Sequence, residues 1–200
     1  MDQYQAKFRR HYRDEKLITE YGFNYVWLTQ HMVHTQLFLS EFTMRIKDTA
    51  VQQWHMEVTS NNRLNSYMNY KTDLIEEKYV YAITEKCFKR ALSRLRCSSH
   101  CLQIELGRRN NTNREDRNCI MCLQTGVYLL EDEFHFMLKC EELNNIRKKC
   151  LPFVCNANPT YETFYHLLAN KSTYVINQVG KYVYFAMKYR KQVLDCIAIE

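Results

Sequence analysis

The chain has 200 residues and a formal net charge of +6 at pH 7. Its 46% hydrophobic content is enough for a folded core, and only 4 glycines and 2 prolines favour helices over turn-rich β structure. The odd count of 9 cysteines, without an apolar signal segment at the N-terminus, fits a reducing compartment, so we expect an intracellular protein, nuclear or cytoplasmic. Polar residues interrupt the most apolar stretch, at 21–39, and exclude a membrane span there.

The first half of the chain predicts an extension followed by a helical domain. Residues 1–36 are predicted to be a helical or flexible N-terminal extension, and residues 37–200 one helical domain. Apolar residues near helical spacing predict a helix over 37–58, and the polar run from Thr59 to Arg63 predicts a loop. Residues 74–81 are consistent with either helix or extended chain.

An amphipathic helix is predicted over residues 83–95. Its apolar stripe consists of Ile83, Cys87, Phe88, Ala91, Leu92 and Leu95. Cys87 belongs to a larger group of cysteines that we interpret as small buried or half-buried hydrophobic side chains. The group is Cys87, Cys97, Cys101, Cys150, Cys155 and Cys196.

Basic residues outnumber acids between Lys89 and Arg117. Such density is what a phosphate-binding surface needs, although a solvated helix face with Arg–Glu pairs is the more usual origin of a charge run. For Glu105 and Arg108 the simpler interpretation is an ion pair, and for Arg117 bracing of the backbone is as good an interpretation as phosphate binding. The candidate nucleic-acid-binding residues are Arg94, Arg96, Arg108, Arg109, Arg114 and Arg117.

The most specific signal is a set of four metal-ligand residues. Cys119, Cys122, His135 and Cys140 have the spacing C-x2-C-x12-H-x4-C. Two cysteines separated by two residues form a tight knuckle with both sulphurs aimed at one centre, and three sulphurs with one imidazole suit a tetrahedral Zn²⁺. We therefore predict a zinc knuckle within residues 117–141. Four protein ligands leave no position for water, so the predicted Zn²⁺ is structural rather than catalytic.

The second ligand pair poses a geometric problem. The segment from Phe134 to Cys140 is typical of a helix start, with Asp132 near its N-terminus. On an ideal helix, His135 and Cys140 lie about 500° apart, which leaves them about 140° out of alignment. We therefore expect the helix to break near Cys140 or to begin after His135.

The C-x-x-C spacing has two alternative origins, incidental thiols and a redox pair. A redox pair requires a preceding strand, and residues 111–118 form a polar stretch without strand character. If the thiols are incidental, the cysteines are small buried side chains that bind no common metal ion. His100, Cys101 and Cys150 are alternatives to His135 or Cys140 as metal ligands.

Two further helices are predicted towards the C-terminus. Asn158 and Pro159 suit the N-cap and first position of a helix that continues through residues 161–169. Residues 174–193 predict a long amphipathic helix, in which Gly180 is a weak point that costs about 1 kcal/mol. Trp54, Tyr182 and Phe185 suit base stacking, but helical spacing among apolar residues favours a core position.

These residues together resemble a known family. Four segments are similar to the zinc-binding C-terminal region of non-LTR retrotransposon reverse transcriptases: residues 95–108, Arg117-x-Cys-x-x-Cys122, residues 131–140, and Leu143-x-x-Ile-Arg147. Weaker similarities upstream are Gln53-Trp54, Leu64, Tyr67, Tyr70-Lys71, Glu77 and Tyr79, and residues 181–190 look like the closing helix. The resemblance covers about residues 37–193.

The resemblance implies a retroelement-derived fragment. In the family this region follows the polymerase and is thought to contact RNA or target DNA, and the carried-over roles are those of the four metal ligands. Two features depart from the family: Glu141 stands where proline is frequent, and the chain has no Tyr-x-Asp-Asp motif to hold catalytic Mg²⁺. Polymerisation therefore cannot be assigned to it.

Three functional hypotheses follow. The first is a non-enzymatic, zinc-binding helical module that contacts RNA or DNA, with neither a membrane nor a small-molecule substrate as partner. The second is a degenerate retroelement remnant or protein-interaction scaffold in which zinc is only structural. The third, a redox or metal-dependent enzyme, requires a reactive thiolate or an open metal position. The oligomeric state is left open by the sequence.

Overall fold

The computed structural model describes residues 12–29, 34–154 and 158–197. Within these ranges the regular structure is helical and includes no named strand, which confirms a mainly α fold. The helices are α1 (12–20), α2 (Asn24–Thr29), α3 (Thr35–Ser60), α4 (Asn65–Met68), α5 (Tyr79–Ala82), α6 (Lys86–Arg96), α7 (Gln103–Arg109), α8 (Ile120–Leu123), a π-helical segment (His135–Lys139), α9 (Asn144–Cys150), α10 (Tyr161–Leu168) and α11 (Thr173–Ile197). Short 3₁₀ turns span Asn62–Leu64, Arg114–Asp116 and Glu141–Leu143. No helix among the described residues combines the length and apolar character needed to cross a bilayer.

The chain divides into two compact units, Met1–Glu57 and Val58–Glu200. The division lies within α3 (Thr35–Ser60) and falls later than the boundary after residue 36 that the sequence suggested. In the first unit, Phe23 packs edge-on against Phe38 and Phe42 at ring-centroid distances of 5.5 Å. Beyond this aromatic contact, α3 exposes apolar side chains such as Leu37 and Met44.

The second unit is built around α11. This helix packs against α5, α6, α8, α9 and α10. Contacts along α6 and α11 advance in the same direction. Asn177 donates to the Ala82 carbonyl before α6 begins, Phe88 of α6 lies against the ring of Tyr184, and Arg190 donates to the Cys101 sulphur after α6 has ended. The two helices α6 and α11 therefore run side by side in the same direction.

Gly180 has a packing role that the sequence did not reveal. A Cβ at this position would lie 2.8 Å from Cδ1 of Ile83, a side chain with no exposed surface. The glycine allows close approach of Ile83 to α11. This close packing is what the helix gains in return for the lower helix propensity of glycine.

The start of one predicted helix needs correction, and one ambiguous stretch is resolved. Helix α10 begins at Tyr161 rather than at Pro159, because the Thr160 hydroxyl, not an Asn158 cap, accepts the hydrogen bond from the Thr163 N–H. The ambiguous stretch 74–81 resolves into irregular chain followed by the single turn of α5.

Candidate metal centre

The four predicted ligands converge on one point in the second unit. Their ligand atoms lie within 4.8 Å of one another, and all four residues are buried. The Cys122 sulphur is 3.8 Å from that of Cys140 and 3.4 Å from Nε2 of His135, and the Cys119 and Cys140 sulphurs are 4.0 Å apart. In a tetrahedral site with Zn–S bonds of about 2.3 Å, two sulphurs lie about 3.8 Å apart. The group thus has the size of a four-coordinate metal site.

A tight turn presents the first ligand pair. Cys119 precedes the single turn of α8, and the Cys122 carbonyl accepts hydrogen bonds from Thr125 and Val127 as the chain reverses. Gly126 has a φ of +76°, a left-handed conformation that glycine adopts at little cost. The returning chain then pairs with the incoming one, since the Cys119 N–H donates to the Leu129 carbonyl at 2.7 Å.

A π-helical segment presents the second ligand pair. The Cys140 N–H donates to the His135 carbonyl at 2.8 Å, a five-residue hydrogen bond that places these residues one turn apart. The helical chain begins before His135, where the Asp132 carboxylate accepts from the His135 N–H, and ends at Lys139. Of the two expected solutions, the break near Cys140 is correct and the start after His135 is wrong. The π geometry is the physical reason that both ligands face one centre.

Long side chains brace the backbone around the second pair. Arg147 donates from Nε to the Met137 carbonyl at 2.9 Å and from Nη2 to the Cys140 carbonyl at 2.7 Å. The buried Tyr182 hydroxyl of α11 donates to the Phe136 carbonyl at 2.7 Å. Since a π-helical segment lacks the usual four-residue hydrogen bonds, these donors satisfy carbonyls that would otherwise be buried without partners.

A buried ion pair fixes the returning chain of the knuckle. Glu131 receives two hydrogen bonds from Arg190 of α11, at 2.7 and 2.6 Å, and a third from the Gln103 N–H at 2.7 Å. Both side chains are almost completely buried. The bidentate geometry links the knuckle to the central helix.

The protonation of the thiols reflects their crowding. A hydrogen bond from Cys140 lowers the pKa of Cys119 to about 3, despite burial, which opposes the shift. Burial, together with the charge of Cys119, raises the pKa of Cys122 to about 11, and the hydrogen bond to Cys119 also raises the pKa of Cys140. Cys119 is therefore the thiolate of the group and accepts hydrogen bonds, because three neighbouring thiolates would repel one another. A divalent cation removes this repulsion and displaces the remaining protons.

The alternative ligands lie elsewhere. His100 is bound through Nε2 to the Glu133 carboxylate at 2.9 Å, and neither it, Cys101 nor Cys150 joins the metal-ligand group. The expectation for the other cysteines was largely wrong: Cys150 is buried, but Cys87, Cys97, Cys101 and Cys196 are exposed. Cys155 lies outside the described residues.

The candidate nucleic-acid-binding arginines separate into two groups. Arg94, Arg109 and Arg114 are exposed, and Arg108 is half-buried in the predicted ion pair with Glu105. Two must be withdrawn from an exposed surface, Arg96 and Arg117.

Arg96 is buried in the core. Its guanidinium lies over the rings of Tyr70 and Tyr79, 4.6 and 5.1 Å from their centroids. It also donates to the Leu168 carbonyl and the Glu77 carboxylate, so its charge is directed inward.

Arg117 braces the knuckle. It donates to the carbonyls of Thr112 and Ile104 over distances of 2.8–3.1 Å. A Cβ on Gly107 would lie 2.5 Å from the Arg117 side chain, so this glycine makes room for the brace. Of the two interpretations of Arg117, the structural one is correct.

The sequence did not single out Glu131, Arg147, Tyr182 or Arg190 as parts of the site. The available signal was a charged or hydroxyl-bearing residue among apolar positions of a helix, as at Arg147 and Arg190. Comparison with protein-family models, curated proteins and solved structures finds no match to this chain.

Proposed function

We propose that this protein is a non-enzymatic module in which one Zn²⁺ stabilises the helical fold and an exposed basic surface binds nucleic acid. The observation that carries the zinc assignment is the buried group of three sulphurs and one imidazole nitrogen within 4.8 Å of one another. Sulphur-rich tetrahedral sites favour zinc among the common divalent ions. The full set of protein ligands favours a structural role, because a catalytic zinc keeps a position for water or substrate.

The polar contacts around the ligands support the same role. Arg147 links the His135–Cys140 segment to α9, and Arg190 links Glu131, which lies between the two ligand pairs, to α11. Such contacts hold metal ligands in orientation and tie metal binding to folding. A retroelement origin, with the family's contact to RNA or DNA, is part of the proposal and rests on the sequence resemblance alone.

The nucleic-acid part of the proposal is supported by charge. The net charge is +6, and exposed bases such as Arg94, Arg109 and Arg114 lie in the unit that carries the metal centre. Nucleic-acid affinity that rests on such bases falls steeply with salt because counterions are released on binding.

The test is a titration of fluorescently labelled RNA and DNA of mixed sequence with the zinc-loaded chain, at low and moderate salt. The proposal expects binding that weakens as salt rises, and that is lost when a chelator removes the metal. Absence of binding, or affinity independent of salt, contradicts the nucleic-acid part.

An interaction scaffold is the second candidate. Helix α3 of the first unit exposes Leu37, Met44 and Val51 by 58%, 61% and 41%, at seven-residue spacing on one side. An apolar stripe of this kind favours a protein partner. If the protein is an interaction scaffold, the same titration should show no nucleic-acid binding. Removal of the metal by a chelator should still unfold the knuckle.

A further inference from the structure

The uncovered side of α11 combines lysines with an aromatic ring. Lys181, Phe185 and Lys188 are exposed and are spaced four and three residues apart, which makes them neighbours on one helix face. Phe185 is 38% exposed, and Tyr189, one turn further on, is 36% exposed. A flat apolar surface therefore lies between two positive charges.

The neighbouring helix adds a second basic stripe. Lys86, Arg90 and Arg94 of α6 are exposed and four residues apart. Helix α6 packs on α11 through Phe88, whose ring centroid is 5.3 Å from that of Tyr184 and 5.9 Å from that of Phe185. At about 100° per residue, Arg94 lies about 120° and Arg90 about 160° around α6 from Phe88, so the α6 bases flank the contact from the outer side of the helix. An aromatic cluster thus lies at the junction of two basic helices.

The charge of this α6–α11 face is not neutralised locally. Helix α6 contains no acid beyond Glu85 at its N-cap, and α11 contains only Asp195, close to its C-terminal end. Among the described residues, the ion pairs involve none of the five bases Lys86, Arg90, Arg94, Lys181 and Lys188. The two other bases of these helices that point inward, Arg96 and Arg190, are already held by Glu77 and Glu131.

We propose that the α6–α11 face binds single-stranded nucleic acid, with bases stacked on Phe185 and Tyr189 and phosphates held by the flanking lysines and arginines. This inference rests on the proposed function, for which it names the surface and the form of the ligand. A single strand presents the faces of its bases to aromatic side chains, whereas a duplex hides them within its stack. Basic residues alone serve either form, so the exposed rings are the feature that favours the single strand.

The experiment compares three ligands on the full-length, zinc-loaded chain. Fluorescence anisotropy is measured with labelled oligothymidine and oligouridine of about 15 nucleotides, which spans a typical single-strand site, and with a duplex of the same length. Each titration is repeated over a series of salt concentrations. The expected result is tighter binding of both single strands than of the duplex.

The charge test uses two matched double variants. Lys181→Gln with Lys188→Gln removes two charges from the face, and Lys16→Gln with Lys47→Gln removes two exposed lysines from the first unit. For single strands the slope of log affinity against log salt changes by about 0.7 per phosphate contact, so the first variant is expected to flatten it by about 1.4 and the second to leave it unchanged.

The stacking test uses Phe185→Leu and, independently, Tyr189→Leu. Each retains an apolar side chain, so unfolding temperature is expected to stay close to wild type while single-strand affinity falls on the order of tenfold. Duplex affinity is expected to remain the same.

The outcomes separate the two proposals. If the wild-type chain binds none of the ligands, the nucleic-acid function fails and this inference fails with it. If wild type binds but the face variants match the Lys16/Lys47 control, or if the duplex binds more tightly, the inference is overturned and the proposed function stands.

Discussion

The two units of this protein obtain their order in different ways. Among the described residues up to Glu57, Phe23 is the only buried side chain, whereas Val58–Glu200 contains an extensive core with buried arginines. The first unit contains most of a 26-residue helix, while α8 at the candidate metal centre has 4 residues. A long helix supplies its own backbone hydrogen bonds, but a single turn cannot offset the cost of its nucleation. The short elements of the second unit therefore depend on long-range contacts and, in our account, on a metal.

Metal removal is expected to produce the largest difference in stability between the two units. Structural zinc contributes about 10–16 kcal/mol in zinc-finger peptides, which exceeds the stability of many domains. Chelation is therefore expected to unfold the segment from Cys119 to Cys140, and hydrogen exchange should show loss of protection there with little change in the first half of α3. Cys119→Ser should reproduce the effect, while Cys87→Ser, at an exposed cysteine, should not. Equal loss of protection in both regions contradicts the contrast.

Breaking the buried ion pair tests whether long-range contacts stabilise the short elements of the second unit. Arg190→Met leaves the Glu131 carboxylate buried beside Gln103 without its cation, and is expected to lower the free energy of unfolding by about 3–5 kcal/mol. Adding Glu131→Met should recover most of that loss, because the uncompensated charge is removed.

The matched control is the exposed Glu162–His166 pair of α10. Both side chains are largely exposed, so Glu162→Gln is expected to change stability by less than about 1 kcal/mol. Urea unfolding measures all of these variants. A loss at Arg190 as small as that at Glu162 indicates that the pair does not fix the knuckle.

Gly180 provides the smallest expected effect. In an open helix position, Gly→Ala stabilises by about 1 kcal/mol, but here the new methyl group meets Ile83. Gly180→Ala alone is therefore expected to be neutral or destabilising by about 1 kcal/mol. With Ile83→Val, which shortens the facing side chain, the same alanine should become favourable. Thermal unfolding of the single and double variants measures these changes. A gain of about 1 kcal/mol in stability from Gly180→Ala alone would show that the new methyl group fits without displacing Ile83.

The sequence predicted which four side chains converge better than it predicted what supports them. Cysteine spacing alone identified Cys119 and Cys122 as a pair, and the mainly helical fold followed from the apolar stripes. The π-helical segment before Cys140 could not be predicted, because its five-residue hydrogen bond depends on donors such as Arg147 and Tyr182 that are distant from His135 in sequence.

The inward orientation of charged side chains could not be predicted from the sequence either. A basic run is usually solvated, so nothing in the sequence distinguished the buried Arg96 from the exposed Arg94, two positions away. Their difference arises from the helix face that each occupies and from the aromatic pair Tyr70 and Tyr79. Likewise, the sequence did not show that the two basic helices α6 and α11 pack against each other.

The most direct test of the metal centre is X-ray absorption spectroscopy at the zinc edge, with elemental analysis of the same purified chain. Our account predicts one zinc per chain with a first shell of three sulphurs and one nitrogen, at about 2.3 and 2.0–2.1 Å. Cys119→Ser should lose that shell. Purified chain without stoichiometric metal after growth in zinc, or zinc in an oxygen-rich shell, contradicts the structural centre.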